Sequence, residues 1–255
     1  MTTELVRQEH VRLHVEDDVA VLTIGSGRRR NALTSAGWRL LEQRTGDVAS
    51  LPSVRAVLVR GEGGTFCAGS DMTEWADAGP DAVEESFARM EAAFRAIEQC
   101  PVPVVAEVRG VAAGAGCQLA LACDLRLMAD SARIGMPIAR LGILPSPAFA
   151  ARLINLAGPS LARRLLYTGR LLDAPAAVTA GLADEHVPDA ELAERINGLL
   201  AEITSQPTAA VRAAKSAVTA ATAALPQRPP GPVVSYQDFR RGVTDFLARI
   251  GTAAT

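Results

Sequence analysis

Gly64-Thr65-Phe66-Cys67-Ala68-Gly69-Ser70-Asp71 and Gly110-Val111-Ala112-Ala113-Gly114-Ala115-Gly116-Cys117-Gln118 are the stretches whose reading decides the fold of this chain. Each follows a β-branched, apolar run, Val54 to Val59 for the first and Val104 to Val108 for the second. Each is expected to lead into a helix. Small side chains at a strand-to-helix junction let a ligand approach the backbone, so N–H groups can reach a carbonyl oxygen. Two such loops, converging, would form an oxyanion hole.

Working outward, the residues between Val11 and Ile24 alternate around the charged turn Glu16-Asp17-Asp18, which predicts a β-hairpin. Leu33, Leu40, Leu41 and Val48 predict a helix over 32–49. Val83, Phe87, Met90, Phe94 and Ile97 recur at helical spacing and predict another over 82–99. Pro101 and Pro103 exclude a helix there. Short strands are expected at 125–129 and 133–135. From Phe149 the pattern is helical, at 149–157, 160–168, 174–180, 189–204 and 208–222. A Pro-rich linker, Leu225 to Pro232, precedes a last amphipathic helix from Ser235 to Ile250. The expected class is α/β, a strand–strand–helix core followed by a helical C-terminal part.

Composition narrows the function. With 26 basic and 28 acidic residues and a net charge of −2, nothing favours nucleic acid or a membrane surface as partner. No apolar run reaches the roughly 18 residues a spanning helix needs, and Met1-Thr2-Thr3-Glu4 does not resemble the start of a signal peptide. Cys67, Cys100, Cys117 and Cys123 form no metal-like pattern, and His10, His14 and His186 are scattered. No metal site is expected, and the thiols read as free and buried in a reducing cytoplasm. Gly-x-Ser-x-Gly and the phosphate-binding Gly-x-x-x-x-Gly-Lys are both absent, which excludes common hydrolase and nucleotide-binding readings.

Phe66 to Met72, together with Pro101-Val102-Pro103-Val104-Val105-Ala106-Glu107-Val108-Arg109-Gly110 continuing through Gly114-Ala115-Gly116 to Arg126, resembles the two oxyanion segments of the enoyl-CoA hydratase/isomerase (crotonase) superfamily. Asn31-Ala32-Leu33, Leu141-Gly142-Ile143, Leu165 to Arg170, Ala180 to Ala183 and Asp238 to Arg249 match further segments in the same order. The resemblance implies a crotonase (ClpP-like) spiral of ββα units over residues 1–195. It also implies a helical C-terminal region, 196–255, used to form a homotrimer or a dimer of trimers. The implied ligand is a coenzyme A thioester, with no separate cofactor.

By the same resemblance, the N–H groups of Ala68 and Ala115 would hold the thioester oxygen, flanked by Gly69, Ser70 and Gly114. Ala115 would open a helix, where unsatisfied N–H groups and the helix dipole favour negative charge. Arg28, Arg29 and Arg30 lie ahead of Ala32, where relatives approach the CoA phosphates, and a guanidinium suits phosphate. Phe246 and Arg249 are placed to close over the CoA; packing is the other reading of Phe246. Asp71 reads as a brace of the first loop.

The chain departs from the hydratase pattern at two places. Gln118 and Ile138 occupy the positions of the two glutamates that add water in typical hydratases. An amide accepts no proton at neutral pH, and isoleucine has none to give. Such groups are worth roughly 10²–10⁴-fold each, so efficient hydration is not expected. Substitute acids or bases could come from Ser146, which also reads as a helix cap, or from Glu74, Asp77, Glu84 or Glu85, which also read as surface charge. Arg140 is open to an acidic acyl group or to a structural ion pair. Two functions remain: an acyl-CoA lyase, isomerase or hydrolase working through enolate stabilisation, and a non-catalytic acyl-CoA-binding protein.

Overall fold

The computed structural model describes residues 11–222 and 233–252; the N-terminal residues through His10 and the expected Pro-rich linker lie outside the described residues. A hairpin of β1 (Val11–Glu16) and β2 (Val19–Ile24) opens the described residues. There follow α1 (Ser35–Val48), β3 (Ala56–Gly61), α2 (Pro80–Glu98), β4 (Val104–Val108), β5 (Val111–Ala113) and α3 (Ala115–Ala122). Next come β6 (Leu125–Ala129), β7 (Arg133–Gly135), α4 (Pro147–Thr168), β8 (Leu171–Asp173), α5 (Ala174–Thr179) and β9 (Glu185–Val187). Three helices close the chain: α6 (Leu192–Thr204), α7 (Thr208–Thr222) and α8 (Tyr236–Thr252).

The larger sheet runs β1-β2-β3-β4-β6-β9 and is parallel from β2 onward. The smaller runs β5-β7-β8, with β5 and β7 parallel. Isolated parallel bridges, Cys67 to Ala112 and Leu33 to Ser70, extend the smaller sheet beyond β5. The result is a spiral. One turn visits β3, then the extended segment at Cys67, then α2; the next visits β4, β5 and α3; the next β6, β7 and α4. Both quoted loops therefore occupy the same place in successive turns, where a strand of the smaller sheet gives way to a helix.

The sequence explains these elements. Val-Ala-Val-Leu-Thr-Ile in β2 and Ala-Val-Leu-Val in β3 are apolar on both faces, as parallel strands covered on both sides require. β1, at the sheet edge, mixes buried and exposed positions. Thr34 caps α1 through the Gly37 N–H, and Asp173 caps α5 through the Ala176 N–H. Pro80 and Pro147 sit in the first turns of α2 and α4, where the missing N–H costs nothing. All eight residues of α3 are buried, so this helix is the axis of the core.

The elements expected between Val11 and Val108 fall where the pattern put them, with ends moved by a few residues. The expected helices at 149–157 and 160–168 are both present as the two halves of α4, which is interrupted at the non-helical Gly158 (φ 73°) ahead of Pro159. The strands β5, β8 and β9, three residues each, are not among the elements the sequence pattern predicts. The boundary expected at 195/196 passes through α6, which packs against β3, β4, β6 and β9.

Candidate active site

Ahead of the first loop, Arg29, Arg30 and Asn31 each carry a positive φ (47°, 53° and 57°), a single left-handed turn of non-glycine residues. Such a turn costs about 1–2 kcal/mol per residue, so something must over-determine it. Asn31 does. Its Oδ1 accepts from the Gly27 N–H (2.8 Å), and its Nδ2 donates to the carbonyls of Glu62 (2.8 Å) and Thr65 (2.5 Å). Arg29 Nη1 donates to Asp71 Oδ2 (2.5 Å) and to Thr73 Oγ1 (2.9 Å). Burial pushes the Asp71 carboxyl up, but Thr73, through its hydroxyl and its N–H, and the Arg29 guanidinium outweigh it. The Asp71 carboxyl is thereby held below its usual range. Asp71 is a brace, as its place in the loop suggested, and Arg29 is tied down by it. Arg28 and Arg30 are exposed, and their side chains make no hydrogen bond or ion pair among the described residues.

The bonds of the loop itself correct one expectation. The Ala68 N–H donates to the Arg30 carbonyl at 2.9 Å, so it is not free to meet a ligand. Leu33 N–H donates to the Gly69 carbonyl, and Asp71 N–H donates to the Leu33 carbonyl, both at 2.9 Å. Between them the Ser70 N–H has no partner among the described residues. The Ser70 side chain is turned inward: its Oγ accepts from Trp38 Nε1 (3.1 Å) and donates to Met90 Sδ (3.5 Å).

Across from it, the Gly114 N–H donates to the Gly135 carbonyl (3.0 Å), while Ala115, the first residue of α3, has an N–H without a partner among the described residues. The two loops are in contact. A Cβ on Gly69, whose φ is +107°, would stand 2.9 Å from the Ala113 carbonyl oxygen and 3.2 Å from the Ala115 nitrogen. A Cβ on Gly116 would fall 2.0 Å from the Cys67 carbonyl oxygen. Glycine is required at both places, and its absence of side chain is what brings the free N–H groups together.

Around this pair the surface carries little that could move a proton. Ile138, 4% exposed, packs with its Cγ2 near Gly114. Burial pushes the Cys67 and Cys117 thiols up to about 12. Gln118 is fully buried: its Nε2 donates to the Phe149 carbonyl (3.2 Å), and its Oε1 accepts from Arg152 Nη1 (3.3 Å). Arg152 also donates to Glu98 (2.6 Å) and Glu91 (2.7 Å), and stands 5.2 Å from the centre of the Phe94 ring. Burial disfavours its charge, but the two carboxylates outweigh that and hold the guanidinium firmly protonated.

The remaining candidates are placed elsewhere. Ser146 caps α4, its Oγ accepting from the Phe149 N–H (3.3 Å). Glu74 Oε2 accepts from the Ser35 N–H (2.6 Å) at the start of α1, Glu85 pairs with Arg89, and Asp77 and Glu84 are exposed. Arg140 donates to the Pro137 carbonyl (3.3 Å). Ala32 is half-buried; Phe246 is 40% exposed, so α8 is anchored by the buried Phe239 and Val243, not by Phe246. Arg249, near the end of α8, is exposed. A cavity of about 930 Å³ opens between α2, α4 and α7, lined by Phe87, Leu121, Phe149, Arg152 and Val218, yet none of its lining residues belongs to either free N–H. The site is therefore placed by the two loops and not by the void.

Comparison with known proteins identifies the family. The family model described as enoyl-CoA hydratase/isomerase matches residues 14–229. A crotonyl-CoA hydratase of Syntrophomonas wolfei is 32% identical over 249 residues, covering 94% of this chain and 96% of the relative. The human mitochondrial methylglutaconyl-CoA hydratase is 32% identical over 226 residues, covering 85% of this chain and 67% of the relative. Among solved structures, an enoyl-CoA hydratase/carnitine racemase from Magnetospirillum magneticum superposes with a TM-score of 0.80 at 26% identity, covering 94% of this chain and 93% of that one.

Proposed function

Because the chain belongs to the enoyl-CoA hydratase/isomerase family and is an enzyme of that family, we propose that it polarises the carbonyl of an acyl-CoA thioester between the backbone N–H groups of Ser70 and Ala115. The observation that carries this reading is that both N–H groups lack a partner among the described residues and lie on loops pressed together at Gly69. The N-terminus of α3 adds its dipole to the charge that develops on the oxygen as an enolate forms. An apolar wall at Ile138 excludes water from that charge and strengthens both bonds.

The reaction proposed is of lyase or isomerase type and not efficient hydration. Hydration needs a group to deliver a proton and one to activate water. Gln118 is neutral and turned to Phe149 and Arg152, and Ile138 is apolar. Ser146 is held as a cap, and Asp71 is held ionised by Thr73 and Arg29. The same inventory favours a second reading, an acyl-CoA-binding protein without turnover. The surrounding proposal is a cytoplasmic homotrimer or dimer of trimers, drawing on α7, in which no described residue is buried and Val218 is 64% exposed. No helix among the described residues is long and apolar enough to cross a membrane. The CoA phosphates would meet Arg28 and Arg30, since Arg29 is engaged.

The test is Ala115→Pro. Proline is tolerated at the first position of a helix; it deletes the N–H and puts its Cδ where the hydrogen stood. Thermal stability should change little, while turnover of the responsive member of an acyl-CoA panel falls about 100-fold or more. Unchanged turnover would remove Ala115 from the hole. Binding across saturated, unsaturated and dicarboxylic thioesters without any conversion would leave the second reading in place of the first.

A further inference from the structure

We infer that Trp38 is a positioning residue for the first donor of the hole, acting through the Ser70 hydroxyl. The inference rests on the reading of Ser70 and Ala115 proposed above. Trp38 lies on α1, is fully buried, and donates its indole N–H to Ser70 Oγ at 3.1 Å. Ser70 passes its own hydroxyl proton on to Met90 Sδ at 3.5 Å. The backbone on either side is fixed by Leu33, through the Gly69 carbonyl and the Asp71 N–H. The Ser70 N–H is thus aimed from three directions: two bonds along the chain, and one from behind through the side chain.

The choice of residues argues for the N–H and not only for the bulk of the ring. A phenylalanine would fill most of the same apolar volume without a donor that needs a partner. A buried indole N–H left unpaired is destabilising, so a tryptophan here demands an acceptor in a fixed place. That acceptor is the one side chain on the residue whose backbone N–H is free. With its hydroxyl held inward, Ser70 presents only the backbone donor outward.

Trp38 also ties this donor to the other. Its ring packs edge-on against Phe94 at 5.4 Å and 76°. Phe94 lies under the Arg152 guanidinium, and Arg152 donates to Gln118 one turn along α3 from Ala115. A continuous run of buried side chains therefore joins the backs of both loops. Gln118 is the last link of that run.

The experiment uses a cinnamoyl-CoA probe, whose absorbance moves to longer wavelength when its carbonyl is polarised. On wild-type protein the bound probe should show that shift. Trp38→Phe should lose about half of it or more while affinity changes by less than about threefold, because the interaction concerns polarisation and not uniform binding. Ser70→Ala, which keeps the ring and the backbone N–H, should lose a similar part. The double variant should lose no more than either single one, as expected for groups acting through one bond. If Trp38→Phe does not fold, Ser70→Ala and Met90→Leu carry the same test, the second with a smaller loss. Additive losses, or a full shift in Trp38→Phe and in Ser70→Ala, overturn the positioning role. A wild-type complex that binds the probe with no shift overturns the hole itself, a different result from a shift that survives the substitutions.

Discussion

The first loop is held by side chains brought from elsewhere in the chain in addition to its backbone bonds, whereas the second is held by backbone. Around Phe66 to Asp71 the work falls to Asn31, Trp38 and Arg29, which lie on another segment and reach across to the loop or to its neighbours. Around Ala113 to Gly116 the holding bonds run from Gly114 to Gly135 and along the fully buried α3. A helix N-terminus supplies free N–H groups by its own geometry. An extended segment does not, since its N–H groups pair with whatever strand lies beside it. The first loop leaves one free because Leu33 pairs with Gly69 and Asp71, the residues on either side of Ser70, so the Ser70 N–H faces the other edge. The two halves of the proposed site are therefore expected to differ in their tolerance to distant substitution.

The largest effect is expected from Asn31→Ala. It removes the side-chain bonds to Gly27, Glu62, Thr65 and Phe66 and leaves a Cβ residue at a left-handed φ, which should cost about 3–5 kcal/mol. Chemical denaturation would measure it, and thioester affinity should fall with it because the Arg30 carbonyl no longer pins Ala68. A loss under about 1 kcal/mol would mean that the first loop stands by its backbone, as the second does, and the contrast would dissolve.

Gln118→Glu probes the second loop. The Nε2 donor to the Phe149 carbonyl disappears, and Arg152 then faces a third carboxylate beside Glu91 and Glu98. A stability loss of about 2 kcal/mol is expected, with no appearance of hydratase activity, because the new carboxylate is directed to Arg152. Hydratase turnover in this single variant would place the side chain in the acyl site instead.

The smallest effect concerns pH. Asp71 has a folded pKa below its ordinary value of about 3.9, so it binds protons less readily in the folded state than in the unfolded one. Its contribution to stability is present above about pH 4 and is lost as pH falls through the lowered value. Asp71→Asn should therefore lower the melting temperature modestly at pH 7 and flatten its decline below about pH 4. An identical acid profile in the variant and the parent would show that the Arg29 and Thr73 contacts do not stabilise the charge.

Much of this was legible in sequence, and the reason is local. Apolar runs such as Val54 to Val59 and the helical spacing from Val83 to Ile97 depend on nearest neighbours along the chain, and the elements formed where they stood. Glycine at 69 and 116 could be read as close approach of backbone before any partner was known. Ser146 was legible in both its readings, and the Phe149 N–H chose the cap. Ala68 was misread for the opposite reason. Whether a backbone N–H is free depends on what lies beside it in space, and the Arg30 carbonyl is remote in sequence.

What the sequence determined by itself, then, is the order of elements, the two small-residue loops, the family they belong to, and the presence of an amide and an isoleucine at Gln118 and Ile138. Tertiary structure alone decided which N–H groups are left unpaired, that Gln118 is turned to Arg152 and Phe149, and that Trp38 stands behind Ser70. The division follows from range. Propensity, periodicity and motif act over a few residues, whereas hydrogen-bond partners in a parallel spiral come from neighbouring turns, and no local pattern records which carbonyl will arrive.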